Sequence, residues 1–302
     1  MKRIMIFLLL GSFGCIAALA NDLEKEGLHG RIRTVETAHY EMIEKFGEWI
    51  AVDLYTSISE YNASGNITSL QRIPFRERVD YEEAYAYDEK GQKKEKLIYL
   101  EKRRLIGKEI YEKDRIREKI SYDKNGYVSG KTKYDYDGNG YLVEETVYDT
   151  AGSVFSKVRY TVRSDGKVSR EALYSSNGQK GPESSYEHDE SGNKVVEIIE
   201  LPPRKRKDLH DYDSKNKRIR TTTFFNDSLD STTVFGYNEK GNLIESTRFA
   251  ADGTVVEKTT LIYEYDSFGN WISLTIGKDV TKYDKTYFAP YKKVVRRFVY
   301  YK

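Results

Sequence analysis

The sequence is poor in the residues that make metal centres, disulfide frameworks and rigid kinks. In 302 residues it has one cysteine, four histidines, five prolines and two tryptophans. One cysteine excludes an internal disulfide scaffold and any multi-cysteine metal knot. The histidines, His29, His39, His188 and His210, show no zinc-type spacing. No phosphate loop, G-x-S-x-G elbow or H-E-x-x-H is present. Long apolar runs are missing beyond the N-terminus, which excludes a multi-span helical membrane protein.

That N-terminal run has a clear grammar. Lys2 and Arg3 precede an uncharged stretch from Ile4 to Ala20, which ends in Ala18-Leu19-Ala20 before Asn21-Asp22. This is the order of a secretory signal peptide, so residues 1–20 are expected to be removed near Ala20. The polypeptide would then be secreted, or held in the periplasm or cell envelope. Gly14-Cys15 offers an alternative, acylation at Cys15, which would make the chain a membrane-anchored lipoprotein. Removal of residues 1–20 takes away Lys2 and Arg3 and no acidic residue, leaving 48 residues of each sign. A nucleic-acid partner is therefore not expected, because phosphate binding requires a positive surplus.

What the sequence has in abundance is tyrosine, 26 residues in all, and much of it recurs in one phrase. Tyr-Asp-x-x-Gly stands at Tyr87–Gly91, Tyr122–Gly126, Tyr136–Gly140, Tyr148–Gly152 and Tyr265–Gly269. Softer copies begin at Tyr61, Tyr174, His188 and Tyr237. Anchors at 87, 99, 111, 122, 136, 148, 162, 174 and 188 are separated by steps of 11 to 14 residues. Asx, two free positions and Gly suit a type I turn followed by a left-handed glycine, the G1-bulge hairpin. What remains of each step is one strand. Alternation after Gly152 agrees, with Val154, Val158, Tyr160 and Val162 on one parity. The expectation is an all-β fold, a long curved antiparallel meander sheet of hairpin repeats over residues 21–302. Competing helical patterns occur at residues 101–120 and around Phe46-Gly47. Leu201 to Lys207, with Pro202-Pro203, reads as a loop and a possible break in the sheet.

These phrases resemble the YD repeats of the RHS family, over most of residues 60–275. The closing stretch from Tyr287 to Tyr301 resembles the last strand of small secreted bacterial YD-repeat proteins. The resemblance implies consecutive antiparallel strands and a surface or envelope setting, with carbohydrate binding or adhesion. The chain is far shorter than the large members that enclose a toxin.

No catalytic, cofactor or metal residues are assigned from spacing. Asp135, Asp137 and Asn139 match the early positions of a calcium loop, but Thr146 stands where its glutamate belongs, and the repeat turn explains them equally. Arg204 to Lys207 is a basic cluster blunted by nearby aspartates. The expectation is a non-enzymatic binding or structural module, with a glycan or envelope protein held by an aromatic sheet face or a sheet edge. The alternative is a glycan-acting hydrolase whose carboxylates meet from distant strands.

Overall fold

A computed structural model describes residues 21–75, 80–101, 103–282 and 285–302. A short helix, α1 (Asp22–Lys25), precedes twenty strands. The first ten are β1 (Ile32–Lys45), β2 (Glu48–Tyr61), β3 (Ile67–Pro74), β4 (Tyr81–Tyr87), β5 (Lys93–Leu100), β6 (Arg104–Glu112), β7 (Arg115–Tyr122), β8 (Val128–Tyr136), β9 (Leu142–Tyr148) and β10 (Val154–Val162). The second ten are β11 (Val168–Ser175), β12 (Lys180–His188), β13 (Lys194–Leu201), β14 (Arg204–Tyr212), β15 (Arg218–Phe225), β16 (Ser228–Tyr237), β17 (Leu243–Ala250), β18 (Val255–Tyr265), β19 (Trp271–Lys282) and β20 (Lys285–Tyr300). Each strand pairs antiparallel with the next, and β1 also pairs with β20. The sheet is thus a closed up-and-down barrel, not the open curved meander the sequence suggested. An even strand count lets the first and last strands meet antiparallel, and their pairing removes the sheet edges.

The repeat phrase folds as expected. At Asp137 the backbone N–H donates to Tyr141 O at 2.9 Å and Gly140 N–H donates to Asp137 O at 2.9 Å. The Asp137 Oδ1 accepts from the N–H groups of Asn139 (3.0 Å) and Tyr141 (2.8 Å). Gly140 has φ +82°, a left-handed conformation that glycine adopts without steric cost. The same Asx bond to the residue four on recurs at Asp123, Asp149, Asp189, Asp213, Asn238 and Asp266. A bulge accompanies the turn: Asp135 faces Glu144 but Tyr136 faces Leu142.

The sequence left a helical alternative at two regions and read a third as a loop. At the first, the expected strands form as β6 and β7, and Phe46-Gly47 is a two-residue hairpin turn with φ +53° and +84°, not a helical one. Pro202-Pro203 is itself the turn: β13 pairs with β14 from Leu201↔Arg204 onward, and the sheet continues unbroken. Arg204 to Lys207 is therefore strand, with Arg206 and Lys205 on opposite faces, and not a loop.

The usual hydrophobic core is small. Leu23, Leu28, Ile32, Val35, Tyr61 and Ile67 form one buried cluster, where the N-terminal segment packs against one rim. Asp22 Oδ2 there accepts from Tyr87 OH at 2.8 Å and from Ile67 N at 3.1 Å. Elsewhere the anchor tyrosines hold the rim through backbone carbonyls of the preceding strand: Tyr136 OH to Ile116 O, Tyr212 OH to Lys194 O and Tyr237 OH to Arg218 O, each 2.9 Å. The expected basis of cohesion, turn-anchored tyrosines, is what is seen.

These turns make a prediction. Gly152 (φ +80°) has open space where a Cβ would go, whereas at Gly166 (φ +82°) it would lie 2.6 Å from the Tyr141 ring. Gly152→Ala should lose about 1–2 kcal/mol from backbone strain alone. Gly166→Ala should lose measurably more in urea unfolding, because the ring must also move.

Candidate binding site on the concave face

Because strand side chains alternate, each register position assigns a residue to one face of the barrel wall. Side chains from five neighbouring strands, β13 to β17, line one open depression of about 450 Å³. The same face buries Glu83, Glu109, Asp208, His210, Thr223 and Ser231, the crowding expected where side chains converge on the concave side of a closed wall. A belt of alternating tyrosine and glutamate runs around it. Glu83 accepts the hydroxyls of Tyr81 and Tyr85. Lys96 Nζ lies 3.4 Å from Glu83 and 3.3 Å from Glu109, and Tyr111 OH donates to Glu109 at 2.6 Å. Tyr160 OH donates to Glu145 at 2.7 Å. Burial raises the phenols Tyr85, Tyr111 and Tyr160, with the glutamates adding to the effect, so they remain neutral donors. For Glu83, burial raises the carboxyl, but the two hydroxyls and Lys96 outweigh it and leave it below its ordinary value. Glu145 goes the other way: burial and the neighbouring Glu171 charge raise it, against Tyr160 and Lys119.

The belt leads into the cavity. Asp208 (4% exposed) and His210 (6%) form its floor with Thr223 and Ser231. Arg206 grips Asp208, Nη2 to Oδ2 at 2.8 Å and Nε to Oδ1 at 3.2 Å. His210 Nδ1 is 3.0 Å from Thr221 Oγ1, while its Nε2 faces Glu197 Oε2 at 4.0 Å. That distance is too long for a hydrogen bond. His210 lowers the Glu197 carboxyl below its ordinary value; burial opposes this, and Lys194 and Arg206 contribute further lowering. Phe225 and Phe235 flank the cavity, and Arg218 and Arg248 also line it. One ligand atom each from Glu197, Asp208 and His210 lie within 4.8 Å of one another.

Sequence spacing missed this group because it is assembled across strands. Asp208 and His210 are two apart and so share a face; Glu197 lies directly opposite Asp208, and Thr221 opposite His210. The two-residue Pro202-Pro203 turn sets that register, and reading it as a loop discarded the pairing. The other sequence candidates fall elsewhere. Asp137 is occupied by its own turn, Asn139 donates its backbone N–H to it, and Asp135 lies one strand position before the anchor Tyr136, facing Glu144. His188 does occupy a turn anchor, pairing with Lys194. Trp49 is partly exposed on the β1–β2 hairpin, whereas Trp271 lies under the Arg296 guanidinium, 3.5 Å from the ring centroid. Cys15 and Ala20 lie outside the described residues.

Neither family models nor curated proteins give a match to the sequence. Among solved structures, a porin-like protein from Bacteroides uniformis covers 90% of this chain and 99% of its own, at 12% identity and a TM-score of 0.39. The TcdB2-TccC3-Cdc42 complex matches 80% of this chain at 13% identity and TM-score 0.31, over 16% of that chain. TcdB2-TccC3 without its hypervariable C-terminal region matches 84% of this chain at 14% identity and TM-score 0.30, over 15% of that chain. At such scores these likenesses settle neither activity nor ligand.

The raised Glu145 carboxyl predicts a pH effect. The folded state keeps this proton at pH values where the unfolded chain has released it, so stability falls as pH rises through that interval. Glu145→Gln keeps an acceptor for Tyr160 and removes the buried charge. Its melting temperature should exceed that of the wild type at about pH 7. The gain should vanish at about pH 3.5, where both chains are neutral at this site.

Proposed function

We propose that this protein is an exported, non-catalytic barrel of the cell envelope or extracellular space, which binds a hydroxyl-rich, carbohydrate-type ligand on its concave face. The observation that carries the reading is the cavity beside β14. There a paired carboxylate and guanidinium (Asp208, Arg206), the hydroxyls of Thr221, Thr223 and Ser231, and the rings of Phe225 and Phe235 converge. Sugar hydroxyls both donate and accept, and planar charged groups match adjacent pairs of them. The apolar faces of sugar rings pack on aromatic rings. A concave site with a few placed polar groups is what small ligands use. The Tyr-Asp-x-x-Gly turns support kinship with YD-repeat proteins, and the uncharged run before Asn21 supports export.

The convex face bears on the surroundings. It carries charges along the middle of the strands, including Lys131–Glu118 at 2.8 Å, Arg159–Glu144 at 2.8 Å and Lys258–Glu245 at 3.0 Å. A membrane barrel presents an outward apolar band of about 25 Å, and an outward Arg or Lys at its middle costs about 2–4 kcal/mol. The charge distribution therefore favours a barrel surrounded by water over a lipid-embedded pore.

A glycan array followed by calorimetry tests the reading. A bound glycan should lose at least tenfold in affinity with Arg206→Ala, with circular dichroism unchanged. Failure of every glycan class to bind, hydrolysis of a bound one, or steady conductance in planar bilayers would each contradict a part of it.

A further inference from the structure

The hairpin repeat allows one stretch of this barrel to be compared with another. Three glutamates of the belt, Glu145, Glu171 and Glu197, recur at 26-residue steps on β9, β11 and β13. Each meets the following strand in the same register. Opposite Glu145 stands Val158, opposite Glu171 stands Ser184, and opposite Glu197 stands Asp208. Two residues further along, the first two hairpins supply Tyr160 and Tyr186, and the third supplies His210. Tyr160 donates to Glu145 at 2.7 Å, and Tyr186 is raised by burial and by the charge of the neighbouring Glu171. In the third hairpin both positions change together. An apolar or small residue becomes a carboxylate and a neutral phenol becomes an imidazole.

Sheet cohesion does not call for that exchange. It trades a satisfied Tyr–Glu bond for a second carboxylate beside the first, in a place where Asp208 is 4% exposed. Arg206 pairs with Asp208, and Lys194 Nζ lies 3.7 Å from the Glu197 Oε1, so the two carboxylates are kept charged side by side. The imidazole is arranged as a ligand would be. Thr221 holds Nδ1, the side chain is 5% exposed, and Nε2 is directed at Glu197 without reaching it. Metal-bound histidines commonly have their second nitrogen held in this way, and ligating carboxylates are themselves hydrogen-bonded, as Asp208 is by Arg206.

We propose that Glu197, Asp208 and His210 form a binding site for a divalent transition metal, with one imidazole nitrogen and two carboxylate oxygens as ligands and the remaining positions open to the cavity. The ligand atoms lie within 4.8 Å of one another. Bonds of about 2.0–2.2 Å require them to close by roughly 1 Å, which rotation of the Glu197 side chain on the cavity wall supplies. An imidazole in the set favours zinc-like ions over calcium or magnesium, which take oxygen ligands. The site lies on the floor of the groove assigned above to a saccharide, but it needs no saccharide in order to fill.

Zn²⁺ titration of the EDTA-treated, purified full protein tests this by calorimetry, with Co²⁺ absorption as a second readout. The expected result is one ion per chain and a higher melting temperature. Affinity should fall at least 100-fold in His210→Ala and Glu197→Gln, and about 10–100-fold in Thr221→Val, which removes only the support of the ring. Glu197 is half-buried, so its variant remains informative if His210→Ala does not fold. Asp137→Asn, at a turn, should bind as the wild type does. No saturable zinc binding, or binding and cobalt spectra unchanged in Glu197→Gln, would overturn the site. Intact zinc binding beside a blank glycan array would remove the saccharide reading alone.

Discussion

Everything in this barrel depends on one local interaction, the Asx carboxylate or amide that accepts two backbone N–H groups of its own turn. With Asp137 bound to the N–H groups of residues 139 and 141, the chain must reverse within five residues, and Gly140 takes the conformation that completes the reversal. Repetition fixes strand length, and strand length fixes which residues meet across the sheet. At Tyr87, Tyr136, Tyr212 and Tyr237 the tyrosine before the Asx then reaches back to a carbonyl of the preceding strand, tying one strand to the next. Among the described residues few side chains are fully buried, and Ile32 is the one large example. Cohesion rests on backbone ladders and half-buried polar pairs more than on an apolar interior.

That economy has a consequence for function. A wall one sheet thick exposes two faces, and alternation allows the two to differ in chemistry. The convex face is a mosaic of lysine–glutamate pairs with scattered aliphatics. The concave face carries phenols and carboxylates whose hydrogen bonds satisfy each other, which is how charge is kept in a crowded place. Glu83 and Glu145 show how fine the balance is. Both are burdened by burial, yet two hydroxyls and a lysine bring one down, while a neighbouring glutamate leaves the other raised.

Much of the fold was legible in the sequence because its repeat is a turn with a physical mechanism. The Tyr-Asp-x-x-Gly phrases gave strands, hairpins and the structural role of the anchors. Closure was not legible: pairing of β1 with β20 depends on strand number and twist summed over the whole chain, and no local phrase carries it. The candidate site was hidden for a related reason. Asp208 and His210 look ordinary until Pro202-Pro203 is recognised as a turn of two residues, after which Glu197 falls opposite Asp208 by counting. Asn216, at φ +60°, shows the repeat tolerating asparagine in place of glycine, a softening that obscured the later copies.

The closed wall can be tested at its seam. Glu36 on β1 faces Arg297 on β20, and the sequence after residue 20 contains no cysteine. In the double variant Glu36→Cys/Arg297→Cys, mild oxidation of dilute protein should produce an intramolecular disulfide, seen as a faster band on a non-reducing gel. An open sheet would hold those positions at opposite ends, nineteen strand spacings of about 4.8 Å apart. Failure to form any intramolecular bond, with only cross-linked dimers appearing, would contradict the barrel.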